Sequence, residues 1–210
     1  MPPLFRWSTL AAPRKRRHGR RTPNTLLPCA LRMALASDIK LIVSDVDGVW
    51  TDGRIIYAGD RSEIKEFNVR DGLGAKLAQR AGIIVALLTS RRSQALERRA
   101  RELGIVELHQ GATNKLEATE RLAQKLSVSF DQILYAGDDL PDLGPMSRAA
   151  ISAAPADAAP EVRNIATWKL ESAGGRGAFR EVVERLLRER GDWESLIREF
   201  AIGKPEASSI

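Results

Sequence analysis

From Lys40 onward, short apolar runs alternate with segments that have helical periodicity. The runs are continuous rather than alternating with polar residues, as in KLIVS at 40–44 and IIVALL at 83–88. Continuous apolar strands are typical of parallel sheets that helices cover on both faces. The pattern therefore predicts an α/β fold with a doubly wound parallel sheet, and such folds bind ligands at the carboxyl ends of their strands.

Residues 54–69 interrupt this alternation with the sequence RIIYAGDRSEIKEFNV. Two extended segments around the turn at Gly59 and Asp60 predict a β-hairpin that no neighbouring helix covers. An uncovered apolar hairpin needs a partner surface, which is either its own sheet or another subunit. The apolar side chains that it would project are Ile55, Ile56, Ile64 and Phe67.

The formal net charge of +6 lies in one part of the chain. Residues 1–32 hold eight basic residues and no acidic one, which leaves 25 basic and 27 acidic residues in the remainder. Because that remainder is mildly acidic, we expect no nucleic-acid partner. We predict a disordered basic extension over 1–35, one α/β domain over 36–192 and a C-terminal tail over 193–210.

Two interpretations of the extension stay open. An arginine-rich stretch without acids resembles an organelle transit peptide, whereas Met33 offers a later translation start at MALASDIK. The single cysteine, Cys29, lies in this extension, so the domain can form no internal disulfide, and we predict a cytoplasmic protein. We expect no membrane span, since apolar runs of about six residues are far shorter than the roughly 20 that a bilayer requires.

Polar residues cluster where the predicted strands end. Asp45 and Asp47 follow the first strand, Thr89 ends the second core strand, Lys115 begins a helix and Asp138 ends the strand QILYAG. Carboxyl ends of parallel strands meet at one edge of a sheet, so these side chains should converge. Two carboxylates in positions i and i+2 repel each other, and a divalent cation would hold them together.

This set of residue types supports phosphoryl transfer. Asp45 can attack phosphorus to give an aspartyl phosphate, and Asp47 can protonate the leaving oxygen and later deprotonate water. Mg²⁺ prefers oxygen ligands, so Asp45 and Asp138 are the expected side-chain ligands, with Asp47 contributing through its backbone carbonyl. Thr89 and Lys115 would hold the phosphoryl oxygens.

The ordered motifs DxDGVxTDG, TxR, a lysine and GDDxxD resemble the haloacid dehalogenase superfamily of phosphatases. Within it, the segments DVDGVWTDG, FNVRDGLG, HQGATNKLEA, GDDLPDL and AGGRGAFRE are similar to the family of 3-deoxy-D-manno-octulosonate 8-phosphate (Kdo 8-phosphate) phosphatases. The resemblance extends from residue 39 to residue 190.

The resemblance implies a hydrolase without a cap domain that requires Mg²⁺ and assembles as a homotetramer, with hairpins packed between subunits. It implies hydrolysis of a phosphorylated sugar acid, Kdo 8-phosphate, through an aspartyl phosphate, in lipopolysaccharide precursor synthesis. The residues that match the family's motifs are the nucleophile Asp45, the general acid and base Asp47, the metal-site residues Asp45, Asp47 and Asp138, the phosphate contacts Thr89 and Lys115, and Arg70 and Arg91 near the sugar acid.

Three alternatives remain at this stage. The substrate could be a nine-carbon keto-deoxy sugar acid 9-phosphate, because such an enzyme shares the catalytic residues. The superfamily also contains dehalogenases, mutases and ATP-driven pumps, although an acid at Asp47 suits alkoxide protonation, and the chain has no cap insertion to hold a mutase intermediate. A scaffold that has lost its activity is the third alternative, and no reactive residue is missing here.

Overall fold

The computed structural model describes residues 36–59 and 63–202. The predicted disordered extension over 1–35 and the residues from 203 to the end of the predicted tail lie outside the described residues. Within the described part of the chain, no helix is both long enough and apolar enough to cross a membrane.

The central sheet has six parallel strands. The strands among the described residues are β1 (Leu41–Ser44), β2 (Ile56–Tyr57), β3 (Glu63–Ile64), β4 (Ile84–Thr89), β5 (Glu107–Gln110), β6 (Ile133–Ala136), β7 (Ile151–Ala154) and β8 (Trp168–Lys169). The order in the sheet is β5-β4-β1-β6-β7-β8, with Leu41 of β1 opposite Ile84 on one side and Ile133 on the other. Because the strand order reverses at β1, the carboxyl end of β1 is the topological switch point, where such folds bind ligands.

Helices cover both faces of this sheet, which confirms the doubly wound α/β prediction. They are α1 (Val69–Arg80), α2 (Gln94–Leu103), α3 (Lys115–Leu126), α4 (Leu143–Arg148), α5 (Pro160–Ile165), α6 (Ala178–Arg190) and α7 (Trp193–Ala201). Buried side chains of α1, α2, α6 and α7 belong to the core on one face, and those of α3, α4 and α5 belong to the core on the other. Burial of both strand faces explains why the strands read as continuous apolar runs.

The packed domain continues beyond the predicted boundary at residue 192. Residues 193–201 form α7 rather than a tail, and Trp193 and Leu196 are only 7% and 6% exposed within the larger core. The guanidinium of Arg188 lies 4.7 Å from the centre of the Trp193 ring. The sequence WESLIREF has the apolar spacing of an amphipathic helix, and that face is buried against the domain.

The predicted β-hairpin is present. β2 and β3 pair antiparallel, with Ile56 opposite Ile64, and the turn residues 60–62 lie outside the described residues. Ile56, Ile64 and Tyr57 are 38%, 48% and 72% exposed, so the hairpin projects these apolar side chains. Phe67, which was also expected to project, instead packs partly buried against the larger core. No other strand lies between β1 and α1 in the described chain, and no cap domain covers the sheet edge there.

Candidate active site

The loop after β1 holds Asp45 rigidly at the switch point. The Asp45 amide donates to the carbonyl of Ala136 at 2.8 Å, which continues the register of β1 and β6 by one residue. The Trp50 indole donates to Ser44 Oγ at 3.1 Å, and its ring stacks on Phe179 with the centroids 4.3 Å apart. These contacts bury the loop and hold the Asp45 carboxylate in place. Asp45 as a whole is 6% exposed.

Three carboxylates gather at this edge, because β6 ends beside β1. Asp45, Asp138 and Asp142 each offer an oxygen, and these oxygens lie within 4.8 Å of one another. Asp138 Oδ1 is buried and has no hydrogen-bond partner among the described residues. Buried polar atoms are normally paired, so an unpaired carboxylate oxygen beside two further carboxylates suits a divalent cation.

Both carboxylate oxygens of Asp142 accept hydrogen bonds from the protein, so Asp142 stabilises the cluster and is not among the side chains suited to a metal. Its Oδ1 accepts from Lys115 Nζ and from the Tyr135 hydroxyl, each at 2.8 Å. Its Oδ2 accepts from the backbone amides of Asp138 and Asp139 at 3.2 and 3.3 Å. With both oxygens bound by protein donors, Asp142 fixes the turn that carries Asp138, which leaves Asp45 and Asp138 as the side chains suited to a metal.

Lys115 reaches the cluster from the first turn of α3. The Asn114 side chain caps this helix by accepting from the Glu117 amide at 3.1 Å. The Lys115 ammonium is buried and lies 2.7 Å from Asp45 Oδ2. Burial alone would lower the pKa of Lys115, but the negative charges of Asp45 and Asp142 outweigh it and raise that pKa, so the ammonium stays protonated.

Without a metal cation, the negative charge of the three carboxylates exceeds the positive charge of Lys115. Burial, reinforced by the charge of Asp142, raises the pKa of Asp45 despite the nearby ammonium of Lys115. Burial also raises the pKa of Asp138, and the charges of Asp45 and Asp142 add to this effect. One ammonium cannot offset three carboxylates, so a divalent cation would restore the ionised forms.

Asp47 lies apart from the acidic cluster, with both carboxylate oxygens bound elsewhere. Lys65, which follows β3 of the hairpin, makes an ion pair with Asp47 Oδ1. The Thr89 hydroxyl at the end of β4 donates to Asp47 Oδ2 at 3.2 Å. The Asp47 side chain is therefore not among the metal-ligand candidates, and a bond from Asp47 to a metal would use its backbone carbonyl.

Of the two arginines predicted near the sugar acid, only Arg91 lies beside these residues. Its amide donates to Thr89 Oγ1 at 3.1 Å, and its guanidinium lies 2.6 Å from Glu63 Oε2. Arg70 instead lines a surface hollow of about 580 Å³ with residues of α6, among them Arg180. None of the Asp45, Asp47 and Asp138 side chains lines this hollow, because the first turn of α1 packs beside the start of α6.

Sequence reasoning missed the contribution of the hairpin to the site. Glu63 and Lys65 both meet residues of the site, whereas the hairpin was expected to act only through its apolar side chains. Burial would raise the pKa of Glu63, but the ammonium of Lys65 and a hydrogen bond from Arg91 outweigh it and lower that pKa. The available signal was the i and i+2 spacing of Glu63 and Lys65, which places both side chains on one face of an extended strand.

The fold and the acidic edge are those of a haloacid dehalogenase-like hydrolase, and the family model of that description matches residues 88–178. The Kdo 8-phosphate phosphatase of Salmonella typhi is 43% identical over 159 residues, which cover 76% of this chain and 85% of the relative. That of Escherichia coli K12 is also 43% identical over 159 residues, with the same coverage.

Solved structures agree with these sequences. The Kdo 8-phosphate phosphatase of Moraxella catarrhalis, solved in complex with magnesium, phosphate and Kdo, has a TM-score of 0.79 and 38% identity, over 81% of this chain and 98% of that one. The cobalt-bound Haemophilus influenzae phosphatase has a TM-score of 0.76 and 38% identity, over 80% of this chain and 99% of that one. This chain belongs to the Kdo 8-phosphate phosphatase family of haloacid dehalogenase-like hydrolases.

Proposed function

We propose that this protein hydrolyses Kdo 8-phosphate to Kdo and inorganic phosphate through an aspartyl phosphate on Asp45. The observation that carries the proposal is the arrangement at the switch point, where the buried Asp45 lies between Lys115 at 2.7 Å and the metal-ligand candidate Asp138. Family membership supports the substrate, and the resemblance supports a place in lipopolysaccharide precursor synthesis.

Mg²⁺ is the proposed cofactor, held by the carboxylates of Asp45 and Asp138 and by the backbone carbonyl of Asp47. The unpaired, buried Asp138 Oδ1 fits this role. When bound, the ion offsets the negative charge that collects between the carboxylates and the phosphoryl oxygens. The magnesium in the Moraxella catarrhalis structure supports this choice of metal.

In the first proposed step, an Asp45 carboxylate oxygen forms a bond to phosphorus, and the bond from phosphorus to the sugar oxygen breaks. Asp47 is proposed to give a proton to the departing sugar oxygen as this bond breaks. Thr89 and Lys115 are proposed to donate hydrogen bonds to the phosphoryl oxygens, whose charge must be offset in the transition state. The sugar acid then leaves as a neutral alcohol at that carbon.

In the second step, the Asp47 carboxylate takes a proton from water, and the water oxygen forms a bond to phosphorus. The bond from phosphorus to Asp45 breaks, which releases inorganic phosphate and regenerates both carboxyl groups in their starting states. One side chain can perform both proton transfers because the proton that Asp47 gives in the first step returns in the second.

The two arginines are proposed to recognise the sugar acid. The Arg91 amide donates to Thr89, and its guanidinium pairs with Glu63 of the hairpin, which supports a cation at the rim of the proposed phosphate site. Arg70 lines a different hollow in its own subunit. We propose that Arg70 acts only in an assembly in which a neighbouring subunit completes the site.

The proposed assembly is a homotetramer in which hairpins pack between subunits. The exposed apolar side chains of Ile56, Tyr57 and Ile64 support it, since an apolar patch of this kind is typical of an interface. Analytical ultracentrifugation at micromolar concentration should give a tetramer, and Tyr57→Lys should shift the mass toward smaller species, whereas Val106→Lys, at an exposed position away from the hairpin, should not. A wild-type monomer would contradict this proposal.

A cytoplasmic location is also proposed, and the absence of a cysteine from residues 36–210 supports it.

Phosphate release with Mg²⁺ from a panel of phosphate esters tests the function. The panel contains Kdo 8-phosphate, a nine-carbon keto-deoxy sugar acid 9-phosphate, a hexose 6-phosphate and p-nitrophenyl phosphate. We expect a strong preference for Kdo 8-phosphate, complete loss of activity with EDTA, and no turnover by Asp45→Asn. A preference for the nine-carbon ester would support the alternative substrate, and no turnover of any ester would support a scaffold.

A further inference from the structure

The hairpin places a lysine directly on Asp47. The Lys65 side chain is 2% exposed, and its ammonium makes an ion pair with Asp47 Oδ1. The same ammonium lies 2.8 Å from Glu63 Oε1. Burying an ammonium is costly unless it is paired, so a lysine held between two carboxylates in this way is fixed in place.

A closed ring of contacts connects the hairpin to β4 and returns to Asp47. Glu63 binds Lys65 through one oxygen and Arg91 through the other, the latter at 2.6 Å. The Arg91 amide donates to Thr89 Oγ1, and this hydroxyl donates to Asp47 Oδ2. Both oxygens of Asp47 are therefore held, one from the hairpin and one from the end of β4.

We propose that Lys65 is a positioning residue that holds the Asp47 carboxyl group for proton transfer to the leaving oxygen, and that Glu63 holds Lys65 for this purpose. The inference rests on the proposed function, in which Asp47 is the general acid. A general acid must lie within about 2.6–3.2 Å of the atom that it protonates. The 19% exposed Asp47 side chain would have several rotamers open to it without this contact.

If Lys65 positions the general acid, the loss of activity on replacing Lys65 depends on the leaving group of the substrate. A purely structural role of Lys65 would lower the activity on all substrates equally. A sugar alkoxide is a poor leaving group and needs the proton as the bond breaks. The p-nitrophenolate anion is a good leaving group and needs none. Since kcat/KM reports the steps up to formation of the aspartyl phosphate, loss of positioning should lower kcat/KM more for a sugar phosphate than for p-nitrophenyl phosphate.

The experiment compares kcat/KM on two esters, p-nitrophenyl phosphate and the sugar phosphate of the panel that the wild type hydrolyses best. The test variant is Lys65→Met, the reference is Asp47→Asn, and Lys65→Arg is the conservative replacement. Lys125→Met is the matched control. Lys125 also makes an ion pair with a glutamate, Glu107 at 2.7 Å, but this glutamate lies on the edge strand β5, away from Asp47. Circular dichroism and thermal unfolding establish that each variant is folded.

We expect Lys65→Met to lower the ratio of the two kcat/KM values, sugar phosphate over p-nitrophenyl phosphate, by at least about tenfold, since misplacement by about 1 Å costs up to 10²-fold. Asp47→Asn should lower the ratio further, Lys65→Arg should recover part of it, and Lys125→Met should leave it at the wild-type value. If Lys65→Met does not fold, Glu63→Gln frees the ammonium and should lower the ratio in the same direction.

The inference would be overturned if Lys65→Met lost kcat/KM equally on both esters. If Lys65→Met does not fold, an unchanged ratio of the two kcat/KM values in Glu63→Gln would overturn it. Either result is what a purely structural role gives. Failure of the proposed function has a different signature. In that case Asp47→Asn itself would leave the ratio unchanged, or Asp45→Asn would retain activity on both esters.

Discussion

Gly48 faces the carboxylate of Asp138 so closely that a Cβ atom on Gly48 would lie 2.0 Å from Asp138 Oδ2. Its φ of +92° also lies in the left-handed region, which side chains rarely adopt. The missing side chain at Gly48 is therefore what allows the loop after β1 and the end of β6 to meet. The contact joins the two segments that carry the proposed metal ligands.

Gly48→Ala should displace Asp138 and lower the activity of the magnesium-loaded protein by roughly 10²-fold, as expected for displacement of a site residue by about 1 Å. The control is Gly82→Ala, at a φ of +75° with open space around the position. It carries comparable backbone strain far from the site, and it should cost about 1 kcal/mol of stability with no loss of kcat. Equal activities of the two variants would show that the close approach to Asp138 is unimportant.

Removal of the metal should be visible in stability as well as in activity. If Asp45 and Asp138 bind Mg²⁺ only in the folded state, a concentration of 100 times Kd should stabilise the protein by about 3 kcal/mol. Asp138→Asn should abolish the rise in Tm on adding Mg²⁺. Asp139→Asn should keep it, because the exposed Asp139 caps Leu140 and stands outside the cluster. A Tm rise that survives in Asp138→Asn would place the ion elsewhere.

Lys115→Met should destabilise the metal-free protein strongly. Removing one partner of a buried ion pair leaves uncompensated charge, and Lys115 balances both Asp45 and Asp142, so the unfolding free energy should fall by about 3–5 kcal/mol at neutral pH. Lys125→Met breaks a pair whose lysine is 60% exposed, and it should cost no more than about 1 kcal/mol. Similar losses from chemical denaturation of the two variants would contradict the electrostatic account.

Asp71 gives stability a distinct pH dependence. Its buried carboxylate accepts from the Arg180 amide at 2.8 Å and so anchors the start of α6. Burial raises the pKa of Asp71 from 3.8 to about 6. Because the folded value exceeds the unfolded one, the contribution to stability is fully present below pH 3.8 and is lost as the pH rises through about 6.

Asp71→Asn removes this titration and keeps an oxygen acceptor for the Arg180 amide. The unfolding free energy of the variant, minus that of the wild type, should therefore increase between about pH 4 and pH 6, by up to about 3 kcal/mol, and stay level above this range. Urea denaturation across pH 4 to 8 measures the difference. Asp71→Ala is the second control and should be less stable than Asp71→Asn at every pH, because it removes the acceptor. A pH-independent difference for Asp71→Asn would contradict the raised pKa.

The sequence predicted the sheet and its site edge well, because the strands read as uninterrupted apolar runs and the acids of the site lie close behind strand ends. Asp45, Asp138 and Lys115 come together as the motif order predicted. Their position depends on local features that a sequence displays, namely a strand end, a helix cap at Asn114 and a glycine at position 48.

The features that sequence reasoning did not reach depend on how distant elements pack. Arg70 was predicted near the sugar acid from its motif alone; within one subunit the packing of α1 beside α6 places it in another hollow, so its role stays a prediction that depends on a neighbouring subunit. Lys65 was overlooked because only the folded hairpin brings it to Asp47, 18 residues earlier in the chain. The helix at 193–201 was missed although its sequence has amphipathic spacing, because the spacing alone does not show that the domain offers a core surface to bury Trp193.

Trapping the covalent intermediate tests the central claim most directly. Protein mixed with Mg²⁺ and Kdo 8-phosphate, quenched within milliseconds and reduced with borohydride, should contain homoserine at position 45, because reduction of an aspartyl phosphate gives this residue. The account predicts that the product appears at Asp45 in the wild type and is absent from Asp45→Asn. If the protein turns over Kdo 8-phosphate and homoserine forms in place of a different aspartate, the assignment of Asp45 as the nucleophile is contradicted.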